Sequence, residues 1–484
     1  MKTTPVQRTN VVLHPDRKRV LLRPFLLADG PRAERLCAHV MALPESEVHT
    51  LWTQVQAEFG DRHARTHAFL KRRFEQARPA LRAHRKLSEE RQLLLGAYFS
   101  HEYSLEAAAL FNPSMVAHPD QSDLAPGALR FVLSLRATGE GHISSITFRT
   151  GLLDAQGGIT INAPTRYCLE PEQVPNVSYE KGVFERKLRE LGLVGDFTRQ
   201  ALKPLGDWFT LEELRASASR VTEQFGARDQ QSEAVARKTL MLAQSNYEVQ
   251  FAPDSRLSER VLFPTTPSQS NGIEDARFVR FQDDDGTQTY CATYTAYDGR
   301  LILPQFIETP DFVHFKFITL NGAAVENKGM ALFPRKIDGR YAMLGRQDGE
   351  NIHVMFSDNL HFWQTAQIVL EPEYPWEFIQ LGNCGSPIET EAGWLVISHG
   401  VGAMRKYSIG AFLLDLRDPA RVIGRLRVPL ITPNEDEREG YVPNVVYSCG
   451  SLLHGRQLII PYAMSDSATT FATLSVDDVL AAME

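Results

Sequence analysis

The chain has little of what staples or anchors a fold. Its 484 residues hold only five cysteines, Cys37, Cys168, Cys291, Cys384 and Cys449, odd in number and far apart. No Cys-x-x-Cys pair occurs, which argues against a disulfide framework or a zinc site and fits a reducing cytoplasm. No stretch approaches the roughly 18 uninterrupted apolar residues of a membrane span, so no membrane partner is expected. The opening Met1-Lys-Thr-Thr-Pro-Val-Gln-Arg8 has no apolar core behind it, so no secretory leader is expected. There is no glycine-rich phosphate loop and no nicotinamide fingerprint, and Gly450-Ser-Leu-Leu-His-Gly455 lacks the elbow pattern of serine hydrolases. No cofactor and no metal is therefore expected. A net charge of −7 also argues against nucleic acid as a partner.

What is present is ordinary for a globular protein, with 43% hydrophobic and 23% charged residues. The length asks for a large core or several modules. The first hundred residues read as mostly helical, with apolar residues at helical spacing from Ser46 to Phe59 and again from Arg62 to Phe74. Ser88 followed by Glu89 and Glu90 has the look of an N-cap with acids in the first turn. Ten Lys and Arg residues face three acids between Arg62 and Arg91. That run is read as a solvated helix face or a contact between copies of the chain.

From Phe131 the texture changes to short β-rich runs such as Phe131-Val-Leu-Ser-Leu-Arg136, separated by Gly, Asp, Asn and Pro. A helical block interrupts at about 179–243, with Thr210-Leu-Glu-Glu213 as a capping box. Later units recur at about 55–60 residues, a period that suits four-stranded propeller blades. The expected fold is an all-β five-bladed β-propeller over 106–484, carrying the helical insertion and preceded by a helical N-terminal extension over 1–105.

Polar residues near blade starts are candidates for a central site. Five clusters stand in matching places: Phe111-Asn-Pro-Ser114, Gly272-Ile-Glu-Asp-Ala-Arg277, Asn327-Lys328, Asn383-Cys-Gly-Ser-Pro-Ile-Glu-Thr-Glu391 and Val442-Pro-Asn-Val445. Each alone is ordinary turn chemistry. Together with Ala331-Leu-Phe-Pro-Arg-Lys-Ile-Asp-Gly-Arg-Tyr341, Gly393-Trp-Leu-Val-Ile-Ser-His-Gly400, Gly410-Ala-Phe-Leu-Leu-Asp-Leu416 and Tyr441-Val-Pro-Asn-Val-Val-Tyr447, they resemble glycoside hydrolase family 130. The likeness runs from about Ala107 to Leu480, apart from the insert.

The resemblance implies a five-bladed propeller acting on β-mannosides, with manno-oligosaccharide as the partner and β-1,2 linkage as the expected target. It makes Asp275 the general acid, a carboxyl that protonates the departing glycosidic oxygen. In the family's phosphorylases that proton is thought to travel through a sugar hydroxyl. Glu274 is the alternative acid, but strand alternation would put it on the opposite face. Asn112, Arg136 and Asp466 match family positions that hold sugar; Arg277, Tyr294, Lys328, Arg346, His399 and Tyr407 are further substrate-binding candidates. Amide, carboxylate and guanidinium groups read sugar hydroxyls directionally.

Two reactions are open. A phosphorylase needs several cations converging on one inorganic phosphate. The family's phosphorylases carry a His before the Arg in Leu344-Gly-Arg346, where this chain has Gly345, and an expected second arginine is missing from Val313-His-Phe-Lys-Phe317. An inverting hydrolase instead needs a carboxylate base roughly 6.5–9.5 Å from the acid. Glu389 and Glu439 are the candidates, and the expectation is hydrolysis, with phosphorolysis as the alternative and a non-catalytic glycan-binding propeller behind it.

Overall fold

The computed structural model describes residues 5–27, 30–81, 86–175, 177–225 and 230–484. Most of its strands sort into five antiparallel groups among the described residues, the first two joined into one sheet by a parallel pairing of Ser144 with Gly272. The first holds Ala109–Ala117, Leu129–Thr138 and Ser144–Leu153. The second holds Gly272–Gln282, Gln288–Tyr297, Ile302–Thr309 and His314–Thr319. The third is Ala331–Leu332, Tyr341–Gly345, Ile352–Ser357 and Gln367–Leu370. The fourth is Gln380–Asn383, Gly393–Gly402, Lys406–Leu414 and Val422–Arg425. The fifth is Val446–Tyr447, Gln457–Met464 and Ala468–Ser475.

Each group is buried on both faces, and side-chain alternation decides which neighbour each residue meets. Trp394, Val396 and Phe412 point from the fourth group to Phe333, Leu344 and Val354 of the third. Their chain neighbours Leu395, Ile397 and Ala411 point the other way, to Ile460, Tyr462 and Ala472 of the fifth. The fifth packs on the first through Ile459, Phe471, Phe131 and Leu133. Phe148 of the first meets Phe278 and Tyr290 of the second, and Phe281 and Phe306 of the second meet Met343 and Met355 of the third. The five groups thus follow one another and return to the start. A fully buried Leu, Ile, Val or Phe contributes about 1.5–3 kcal/mol over exposure, so these five seams carry most of the fold's hydrophobic stabilisation.

Residues 1–105, expected to be helical, also hold strands. Gln7–Leu13 pairs with Ala468–Ser475 at the outer edge of the fifth group, and Val20–Pro24 pairs with Ser100–Ser104. The β-branched Val11-Val12 pair is short, and its partner lies at the far end of the chain, so no local periodicity marks it. Between these strands, Gly30–Ala42, Glu45–Phe59, Thr66–Ala77 and Glu89–Tyr98 pack around Val48, Phe74, Leu94 and Leu95. Ser88 caps the last of these by accepting from the Arg91 amide at 3.3 Å. The basic run is largely paired: Arg62 with Glu102, Arg65 with Asp254, Arg91 with Glu45. Arg82 and Arg85 of that run lie outside the described residues.

The second helical block holds Lys181–Glu190, Asp196–Leu202, Leu211–Phe225 and Gln230–Gln244 around its own core of Phe184, Leu188, Phe209 and Leu214. The capping box closes as expected, with the Thr210 amide donating to Glu213 at 2.7 Å and the Glu213 amide to Thr210 Oγ1 at 3.3 Å. All five cysteines are buried free thiols. No helix among the described residues is long and apolar enough to cross a membrane.

Candidate active site

The inner strands of the first two groups each carry a bulge. Pairing shifts between Phe111 and Ser114 and between Glu274 and Arg277, and the displaced residues Asn112 (φ 48°) and Asp275 (φ 54°) sit in the left-handed region. Asn and Asp tolerate that conformation best among residues with a side chain. The Asn112 side-chain amide donates to Asp275 Oδ1 at 2.6 Å. Arg136, lying over the Phe111 ring at 4.9 Å, donates to Asp275 at 3.3 Å and to Glu274 at 2.7 Å. Glu274 and Asp275 therefore face the same guanidinium, against the expectation from alternation. The bulge removes the two-residue period at that point.

Three carboxyls share this corner with opposite tendencies. Burial pushes Asp275 up, but the charges of Arg136 and Lys328 and the Asn112 hydrogen bond outweigh it and hold Asp275 below the usual range. Burial raises Glu274, opposed by Arg136. Burial and the nearby Asp275 charge push Asp466 up to about 6. Carboxyls driven apart in this way can divide acid and anion roles.

Opposite stands a cationic wall. Arg277 is 3% exposed, donating to the Asn383 carbonyl and, at 2.7 Å, to the Tyr447 hydroxyl; its Nε has no partner. Arg346 is 8% exposed, donating to His399 Nε2 at 3.2 Å, and its Nε also lacks a partner. Neither forms an ion pair among the described residues, and neither does Lys328, whose neighbour Gly329 lies against Arg277. Because a guanidinium can only donate, His399 Nε2 accepts and its proton sits on Nδ1, 3.7 Å from Cys384 Sγ. Burial, then Arg346, Arg277 and Lys328, holds His399 well below its ordinary value, so the imidazole is neutral. It stacks on Tyr407 at 5.7 Å and meets Tyr447 at 4.9 Å.

Asn112, Arg136, Asp275, Arg277, Lys328, Arg346, His399, Tyr407 and Asp466 thus come together from all five groups. Three expected residues do not. Tyr294 is turned into the seam between groups, where its hydroxyl accepts from Gln269 at 2.9 Å and its ring meets Phe317. Its strand alternates, and this position falls on the packed face. Glu389 is an exposed acid on a short edge strand, held two-pronged by Arg335 at 2.9 and 2.7 Å. Glu439 is exposed, and no hydrogen bond or ion pair joins it to the Asp275 cluster. Its neighbour Glu437 is buried, but binds Arg8 and the Tyr462 hydroxyl as a structural tie.

Sequence reasoning missed Tyr447 and Asn383 as members of the site, and Arg405, whose guanidinium lies 5.7 Å over the Tyr407 ring. The first two lie at the end of Tyr441–Tyr447 and the start of Asn383–Glu391; Tyr447 enters through its hydroxyl, but Asn383 through its backbone carbonyl, which its side chain does not reveal. Among the described residues no group of three or more His, Cys, Asp or Glu is arranged to hold a metal ion.

A family model described as beta-1,4-mannooligosaccharide phosphorylase matches residues 220–484. A 1,2-beta-oligomannan phosphorylase from Thermoanaerobacter sp. (strain X514) is 35% identical over 232 residues, spanning 46% of this chain and 75% of that one. A beta-1,2-mannobiose phosphorylase from Listeria innocua is 31% identical over 235 residues, 46% of this chain and 63% of that one. The solved beta-1,2-mannobiose phosphorylase from Listeria innocua, in complex with beta-1,2-mannobiose, superposes with a TM-score of 0.46 at 20% identity, covering 78% of this chain and 92% of that one.

Proposed function

The chain belongs to glycoside hydrolase family 130, and from that premise we propose that it is an inverting β-mannoside phosphorylase built on a five-bladed β-propeller. The observation that carries the reading is the pair of buried arginines, Arg277 and Arg346, beside Lys328 and without a carboxylate partner. A buried unpaired charge is costly, so a site that keeps two is suited to an anion supplied from outside. Inorganic phosphate satisfies the guanidinium groups with charge-assisted hydrogen bonds.

In this scheme phosphate attacks the anomeric carbon from the face opposite the leaving group. The new carbon–oxygen bond forms as the glycosidic bond breaks, and the departing oxygen takes a proton from Asp275, directly or through a sugar hydroxyl. Asp275, held ionised in the free chain by Arg136 and Lys328, takes up that proton as substrate and phosphate bind and offset those charges. The products are α-mannose 1-phosphate and a chain shorter by one mannose. Arg136 and Asn112 position the acid and sugar hydroxyls, and Asp466 reads the sugar from the fifth group. Neutral His399 accepts from Arg346 and fixes its guanidinium. The names of the relatives support a β-1,2-linked manno-oligosaccharide as substrate.

Hydrolysis, the expectation from Gly345 and from the arginine missing in Val313-His-Phe-Lys-Phe317, loses support because Glu389 and Glu439 do not reach the Asp275 cluster. The helical extension and the insert lie outside the proposed propeller, and the first hundred residues contribute one strand to it. Buried free thiols are consistent with a cytoplasmic setting.

Phosphorolysis is reversible, which gives a direct test. Mannose 1-phosphate supplied with mannose should release inorganic phosphate and form mannobiose, and Asp275→Asn should lose this activity by at least about a hundredfold. No phosphate release by the wild-type protein, or an Asp275→Asn variant of near wild-type rate, contradicts the scheme.

A further inference from the structure

Above the site, the connections between second and third strands carry backbone that ordinary side chains avoid. Glu140–His142 and Ala403–Arg405 are three-residue turns within the connections of the first and fourth groups, and in both the second and third residues are left-handed: Gly141 (φ 67°) with His142 (φ 61°), and Met404 (φ 59°) with Arg405 (φ 54°). In the fifth group Ser465 (φ 46°) and Asp466 (φ 51°) occupy the equivalent connection. Glycine or asparagine is the usual solution there, because a Cβ crowds the neighbouring carbonyl in this conformation. Asp466 belongs to the site, and the same end of the first group carries Arg136, whose Nε donates to Ser144 Oγ at 2.9 Å. His142, Met404 and Arg405 therefore rim the same mouth.

The segment around Tyr441 links these connections. Its Val442 amide donates to the Ser465 carbonyl at 3.0 Å, and its Asn444 carbonyl accepts from the Tyr407 amide at 3.1 Å. Tyr441 itself is 55% exposed, with its ring 5.8 Å from that of His142 and its hydroxyl 3.3 Å from His142 Nδ1. Met404 is 91% exposed, and Arg405 lies 5.7 Å over the Tyr407 ring, its charge also reaching Asp466. The rim thus combines an exposed aromatic pair and an apolar chain with a guanidinium, a phenol and an imidazole. A pyranose presents the complement, an apolar C–H face edged by hydroxyls.

We propose that Tyr441 and His142, with Met404 and Arg405, form an outer sugar subsite that holds a further mannose unit of the oligosaccharide and makes the enzyme favour chains longer than a disaccharide. The inference rests on the β-mannoside reading and deepens it. Tyr441 is the positioning element for the distal sugar and takes no part in bond breaking.

The test compares kcat/KM, with saturating phosphate, on β-1,2-mannobiose and β-1,2-mannotetraose. Wild type should favour the tetraose, and Tyr441→Ala should lower the tetraose-to-biose ratio about three- to tenfold, while Tyr441→Phe keeps most of it. An unchanged ratio in Tyr441→Ala contradicts the subsite. If the wild type turns over no mannoside, the parent reading fails, and calorimetric titration with mannotetraose decides the rim alone. Weaker binding by Tyr441→Ala supports it, and equal or absent binding in both proteins overturns it.

Discussion

Asp466 illustrates how much of this site is made by neighbours. As a single residue in a turn it would ionise near 3.8, but burial and the Asp275 charge push it up to about 6. The folded chain therefore holds this proton more tightly than the unfolded chain does. Its contribution to stability is full below about 4 and is lost as pH rises through about 6. Asp466→Asn, which cannot ionise, should gain in Tm relative to wild type as pH goes from about 4.5 to about 7.5, because wild type alone loses stability over that window. Parallel Tm curves would show that the Asp466 environment is wrong. The residue types of the site were legible: Asn112, Arg136, Asp275 and Asp466 all sit in motifs quotable from the sequence. Their relations were not. That Glu274 and Asp275 face one guanidinium depends on a bulge at a left-handed Asp275, and nothing in Ile273-Glu-Asp-Ala276 marks the extra residue. Glu389 misled for a related reason. Its acid was visible, but not Arg335, which lies 54 positions away and holds it at the surface.

At the scale of elements, the strands of the fourth group were the easiest to read, because Trp394-Leu-Val-Ile-Ser398 is apolar on both faces and ends in glycine-bounded turns. The structure supplies the reason: each face of the strand meets a different neighbouring group. Trp394 is fully buried, edge-on to Phe333 at 5.2 Å, under the Arg335 guanidinium at 4.9 Å and donating to the Leu416 carbonyl at 3.2 Å. Trp394→Ala should cost about 3–5 kcal/mol in denaturant unfolding, and Trp394→Phe distinctly less. A loss below about 1 kcal/mol for the alanine variant would mean the third and fourth groups do not share a packed seam. The helical insert was legible for a local reason, since a capping box and a 3.6-residue period need no distant partner. The strand Gln7–Leu13 was not, since its pairing partner lies at the opposite end of the chain.

On the scale of the whole molecule, the last group packs on the first, and the connection is tight: Cys449 donates its amide to the Pro113 carbonyl at 2.8 Å, and Leu110 donates to Ser467 at 3.0 Å. Closing the sequence of groups brings Asn112 of the first and Asp466 of the fifth to one centre, which no single stretch of sequence could supply. The same closure sets the acids Glu274 and Asp275 of the second group and Asp466 of the fifth against the cations Arg277, Lys328 and Arg346 from the second and third. That division of charge is the basis for reading the protein as a phosphorylase, and the reaction it catalyses tests the reading most directly. Product analysis on β-1,2-mannobiose, with and without inorganic phosphate, should give mannose 1-phosphate and mannose only when phosphate is present. Free mannose at equal rates in both conditions would contradict the account, and would return the chain to the hydrolytic mechanism with a base still to be found.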